Sequence, residues 1–131
     1  MTRYVIGPDV ALHLARHRAG AGEHRLVAPT LLRSQVLSLL YQAARRGELS
    51  RREADRRLDH LRALRIRLLG DRVLQATAWT IADRLGWPDT LIAEYIALTQ
   101  LQADAFVTLD PGLAEAVADL VTVAPVEALA T

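Results

Sequence analysis

The sequence predicts an α/β domain with a central, mostly parallel sheet of about 4–5 short strands and helices on both faces. Two observations carry this. Short apolar runs alternate along the chain with longer stretches of helical periodicity, the pattern of β-α-β units. The run AFVTL (residues 105–109) is almost wholly apolar, as a buried parallel strand requires. The chain is 131 residues long and 51% hydrophobic, with no linker, repeat or low-complexity tract, so it reads as a single domain over residues 1–131.

The elements follow in order. Residues 3–6 (RYVI) read as a strand ended by Gly7-Pro8. A helix runs from Pro8-Asp9 to about Arg18, with Val10, Ala11, Leu14 and Ala15 on its apolar face. AGAGEH is a loop by its glycines, and residues 25–28 (RLVA) are a second strand. Pro29-Thr30 opens a helix with Leu32, Val36, Leu39 and Leu40 facing the core and Gly47 as its stop. Ser50 and Glu53 form a capping box for the next helix, whose stripe is Leu58, Leu61 and Leu64. Residues 66–69 alternate as a half-buried strand, and Asp71 begins a helix closed by Gly86.

Residues 87–111 (WPDTLIAEYIALTQLQADAFVTLDP) organise the rest. Asp89 and Thr90 are cap types ahead of a helix whose apolar positions are Leu91, Ile92, Tyr95, Leu98 and Leu101. The strand AFVTL then delivers Asp110 at its C-terminal end, where open α/β sheets keep their sites. The ordinary structural role for Asp110 is N-cap of the following helix, with Pro111 at its first position. That helix, PGLAEAVADL, and a last strand, VTVAPV, complete the chain.

There is no Cys, hence no disulfide framework and no thiolate chemistry. No apolar run reaches membrane-spanning length, and MTRYVIG lacks a secretory pattern, so a cytoplasmic protein is expected. All 16 basic residues are Arg, and all lie at or before position 84, beside 8 of the 15 acids; the other 7 acids follow with no base among them. Either a basic nucleic-acid surface beside an acidic pocket or ordinary solvated helix faces produces such a split. In RREADRRLDHLRALR the interleaved acids favour the solvated face.

Over essentially its whole length the chain resembles the PIN-domain family, specifically the VapC-type toxins of bacterial toxin–antitoxin pairs. The likeness lies in order and spacing: RYVIGPDVALHLA, LLRSQVLSLL, GELSRREADRRLDHL followed by RIRLL, and AEYIALTQLQADAFVTLDPGLAEAV. It implies a PIN-like three-layer sandwich whose members gather about four acids around one or two Mg²⁺ or Mn²⁺ ions and cut RNA. It also implies a VapB-like antitoxin bound over the first helices, and a homodimer.

At the family's acid positions the chain carries Gly7, Gln35 and Ile92; Asp110, preceded by Thr108, stands at the last. Asp9 lies two residues past Gly7 and shares its side if the chain stays extended. Asp89 lies three residues before Ile92, whereas Glu94 should point elsewhere. A rebuilt pocket would therefore use Asp9, Asp89 and Asp110 as catalytic and metal-ligating acids, with the amide of Gln35 assisting and Glu94 and Thr108 as accessories. Ile92 predicts a drier pocket floor. His13 and His17 have chelating spacing but no third ligand, His24 and His60 have no evident partner, and Trp79, Trp87 and Tyr95 are expected to pack rather than stack on bases.

Three functions are consistent with these residues. One is a VapC-like protein with an eroded or rearranged metal site that retains antitoxin, partner or RNA binding. Another is an active Mg²⁺- or Mn²⁺-dependent endoribonuclease using the shifted acids. The last is a non-catalytic RNA-binding module.

Overall fold

A computed structural model describes all residues, Met1–Thr131. The elements alternate as β1 (Arg3–Ile6), α1 (Pro8–His17), β2 (Arg25–Pro29), α2 (Leu31–Arg45), α3 (Arg51–Ala63), β3 (Arg67–Leu69), α4 (Arg72–Leu85), α5 (Leu91–Gln102), β4 (Ala105–Val107), α6 (Pro111–Val117) and β5 (Val123–Ala124), ending in a 3₁₀ turn, Val126–Ala130. The five strands form one all-parallel sheet in the order β3-β2-β1-β4-β5.

The central strands are apolar throughout because both their faces are covered. Val5, Ile6, Phe106 and Val107 are fully buried, each stabilising the fold by about 1.5–3 kcal/mol. The helices α1, α2 and α3 pack on one another, α5 crosses β1, β2 and β4, and α4 packs on α5. The crossover β1-α1-β2 and the crossover β3-α4-α5-β4 run in opposite directions along the sheet. Right-handed connections therefore place them on opposite faces.

From β1 the chain steps outward to β2 and β3, then returns to β4 on the other side of β1 and continues to β5. The strand order thus reverses between β1 and β4. In open parallel sheets the crevice beyond that reversal is where sites form.

Several expectations need correction. The helix α5 is not amphipathic: Ala93 and Tyr95 to Thr99 are all buried, while Leu91, Ile92 and Leu101 are exposed. Small alanines let this helix lie between the sheet and α4, so it is buried on nearly every side. In α2, Leu39 is turned outward instead of into the core. β4 stops at Val107, short of the five-residue run, and β5 keeps only Val123 and Ala124. Ser50 caps α3 by accepting from Glu53 N–H at 3.0 Å, but the Glu53 carboxylate meets Arg56 and Arg57 instead of closing the box.

Candidate functional site

Gly7 ends β1 with an ordinary extended backbone (φ −75°), and its N–H donates to Val107 C=O at 3.2 Å. Asp9 follows in the first turn of α1. Its Oδ1 accepts from Val10 N–H at 2.8 Å, and its Oδ2 accepts from the Thr108 hydroxyl at 2.8 Å and from Leu109 N–H at 2.7 Å. One carboxylate therefore joins the end of β1 to the exit of β4, across the crevice where the strand order reverses. A Cβ added at Gly7 would lie 2.7 Å from Asp9 Oδ1. The Asp9 carboxylate thus occupies the space where a side chain at position 7 would begin.

Thr108 is the hub of this contact. Its Oγ1 donates to Asp9 and accepts from Asp110 N–H at 3.1 Å. Asp110 Oδ1 accepts from Gly112 N–H at 2.9 Å and Leu113 N–H at 3.2 Å, so this residue is the N-cap of α6 with Pro111 at the first helical position.

A second contact joins α2 to α5. Tyr95, 1% exposed, donates its hydroxyl to Gln35 Oε1 at 2.5 Å. Burial pushes the phenol's pKa well above its ordinary range, and the negative charges of Glu94 and Asp9 push it further. The phenol is therefore a neutral donor. Glu94 is half-buried, its carboxylate makes no hydrogen bond or ion pair, and burial holds it above its ordinary 4.5. The sequence singled out Gln35 for its amide oxygen; Tyr95, which takes that oxygen, was read only as a packing aromatic.

Asp89 and Ile92 sit at the start of α5. Asp89 is exposed, and its Oδ1 accepts from Leu91 N–H at 3.0 Å, so it caps α5 locally. Ile92 is 44% exposed, not part of a dry interior.

These donors do not fit a hard divalent ion. Such an ion needs several oxygens, most of them from acids, converging on one point. Asp9 Oδ2 accepts two local bonds and Asp9 Oδ1 one, Asp110 Oδ1 is engaged in capping, and Gln35 Oε1 accepts from Tyr95, so Asp9 and Asp110 are each tied to neighbouring backbone and no third acid joins them. No group of three or more His, Asp or Glu side chains is placed to hold an ion. The rings of His13 and His17 lie 4.5 Å apart, tilted by 53°, with no further ligand beside them.

The remaining histidines have structural work that their sequence surroundings do not reveal. His24 Nδ1 accepts from Thr2 N–H at 3.2 Å, which leaves Nε2–H to donate to Thr131 C=O at 3.0 Å. His60 Nε2 meets Ala19 C=O at 2.8 Å. Among the aromatics, Trp87 is half-buried as expected, but Trp79 is 71% exposed on α4.

A groove of about 560 Å³ lies between α1, α2, α3 and β3. Its walls include Leu32, Leu37 and Leu61, and Arg33 and Arg65 stand at its rim without ion-pair partners. Along α3, by contrast, Arg51, Arg56, Arg57 and Arg62 pair with Asp55, Glu53 and Asp59 at three- and four-residue spacing, so that charge run is a solvated helix face.

The fold and site together define an open, all-parallel α/β domain whose crevice between β1 and β4 is closed by side-chain hydrogen bonds. It is similar to the crystal structure of PAE2754 from Pyrobaculum aerophilum, at 23% identity and a TM-score of 0.78, covering 98% of this chain and 92% of that one. No protein-family model and no curated protein matches the chain. No helix is long and apolar enough to cross a membrane.

Proposed function

We propose that this chain is a VapC-like PIN-domain protein whose metal centre has been replaced by a hydrogen-bonded one, and that it acts by binding a VapB-like antitoxin segment instead of cleaving RNA. The observation that carries this is the engagement of both Asp9 oxygens by Val10, Thr108 and Leu109 at the place where a catalytic carboxylate would be needed. Gly7, Gln35 and Ile92 at the other acid positions agree with it. The groove supports the binding half of the proposal. Its leucine walls suit the apolar face of an amphipathic helix, and its two unpaired arginines suit acids on that helix.

A second function retains one specific support. Asp9 lies over Gly7, so a shifted carboxylate does reach the space of the first acid. The same experiment separates the two. Purified protein is incubated with single-stranded and structured RNA in Mn²⁺, and titrated with an acidic amphipathic peptide. The expected result is intact RNA together with saturable peptide binding that weakens about tenfold or more in Leu37→Glu, the cost of a charge in an apolar contact. Cleavage that disappears in both Asp9→Asn and Asp110→Asn establishes the shifted nuclease instead.

A further inference from the structure

We propose that His13 and His17 of α1 form a bidentate site for a borderline divalent transition-metal ion, Cu²⁺, Ni²⁺ or Zn²⁺, with the other coordination positions left to water. This does not rest on the function assigned to the strand ends, whose oxygens are a different kind of donor.

The four histidines of the chain divide by what their rings do. His24 is bonded through both ring nitrogens, to Thr2 and Thr131, and His60 through one, to Ala19. His13 and His17 make no hydrogen bond or ion pair within the protein. His13 is half-buried and His17 exposed, so both rings keep nitrogens open to solvent.

The helix sets their spacing. They lie four residues apart on one flank of Pro8–His17. His17 closes the helix, and its turn is held in place. Arg18 takes the left-handed conformation, and the N–H groups of Arg18 and Ala19 bond to the Ala15 and Leu14 carbonyls. The two ring centres are 4.5 Å apart and the rings are tilted by 53°. Two imidazoles bound cis to one ion at about 2.0–2.1 Å hold their ring centres about 4.5–5 Å apart. The backbone therefore supplies the separation that a chelate needs. Rotation about χ2, a soft torsion, turns one nitrogen of each ring toward the shared point.

The donors select the ion. Imidazole nitrogen suits Cu²⁺, Ni²⁺ and Zn²⁺, whereas hard ions prefer oxygen. A histidine pair at this spacing on one helix face is a known way of presenting two ligands to zinc. The C-terminal end of a helix carries partial negative charge, which favours a cation beside His17. Arg16 and Arg18 bring like charge to the same turn, but both are exposed, so water and salt screen it. Two protein ligands bind more weakly than the three or four of a dedicated site, so a dissociation constant for Cu²⁺ on the order of micromolar is expected.

Calorimetric titration of the full chain with Cu²⁺, Ni²⁺, Zn²⁺ and Mn²⁺ tests the proposal, with the copper complex examined by electron paramagnetic resonance. Cu²⁺ should bind more tightly than Ni²⁺ or Zn²⁺, and Mn²⁺, lowest in that order, should give no saturable heat up to millimolar metal. The copper spectrum should show coupling to two nitrogens. His13→Ala and His17→Ala should each weaken Cu²⁺ binding by about a hundredfold, since the second imidazole of the pair acts as an intramolecular ligand. Ala is the best helix former, so both variants keep α1. Absence of saturable Cu²⁺ binding, binding that survives either variant at wild-type strength, or a copper spectrum without two-nitrogen coupling overturns the proposal.

Discussion

At the scale of single residues, Asp9 accounts for most of the geometry at the strand ends. Its carboxylate accepts three hydrogen bonds and fills the space above Gly7. Gly7 has an ordinary negative φ, so steric conflict with Asp9, and not backbone conformation, keeps the position free of a side chain. Gly7→Ala should therefore cost about 1–3 kcal/mol by overpacking, and Asp9→Ala about 1–2 kcal/mol through its lost bonds. The double variant should be less destabilised than the sum by about 1 kcal/mol, because removing the carboxylate removes the clash. Urea unfolding of the four proteins measures this, and strict additivity would contradict the steric link. The sequence pointed to Asp9 through its position two residues past Gly7. It did not reveal what Asp9 binds, because Thr108 lies 99 residues away and only the adjacency of β1 and β4 brings them together. Asp110 was legible in both its roles, as a strand-end carboxylate and as a cap, because capping depends on the next three residues alone.

At the scale of elements, α1 and α4 were the most readable. Each has one buried stripe at helical spacing, and Asp71 and Gly86 bound α4 as its sequence predicts. The helix α5 was legible as a helix but not in its orientation. Its alanines are neutral to periodicity, and its burial is decided by the sheet beneath and α4 above. That burial has a consequence for Glu94, on the half-buried flank next to Tyr95. Its carboxyl is held above 4.5 in the folded protein, so the folded state binds the proton more tightly than the unfolded chain does. The stabilising contribution is complete below the unfolded value and is lost as pH rises through the folded one. Glu94→Gln should therefore become more stable relative to wild type as pH is raised from 4.5 towards alkaline values. Comparing the urea midpoints of the two proteins at about pH 4 and pH 8, either side of the ordinary carboxyl range and its raised counterpart, reads this. A constant or shrinking advantage would show that Glu94 is not desolvated.

At the scale of the whole molecule, the order β3-β2-β1-β4-β5 concentrates chemistry-bearing residues at one place. The ends of β1 and β4 bring Asp9, Thr108 and Asp110 together, and Tyr95 of α5 makes its own bond to Gln35 of α2. Alternating strand and helix signals sufficed to predict the parallel sheet, because each crossover carries its own apolar stripe. The state of the site was not predictable in the same way. A carboxylate that ligates and a carboxylate that only accepts N–H bonds are the same residue in a sequence, and only the other acids that the fold brings beside it separate them. The central claim is that Asp9 is held by the protein's own donors and that no third acid stands beside it and Asp110. Calorimetric titration of Mn²⁺ into the purified chain tests it directly. Hydrogen-bonded Asp9 and Asp110 predict no saturable heat up to millimolar metal. Tight binding that vanishes in both Asp9→Asn and Asp110→Asn would contradict it.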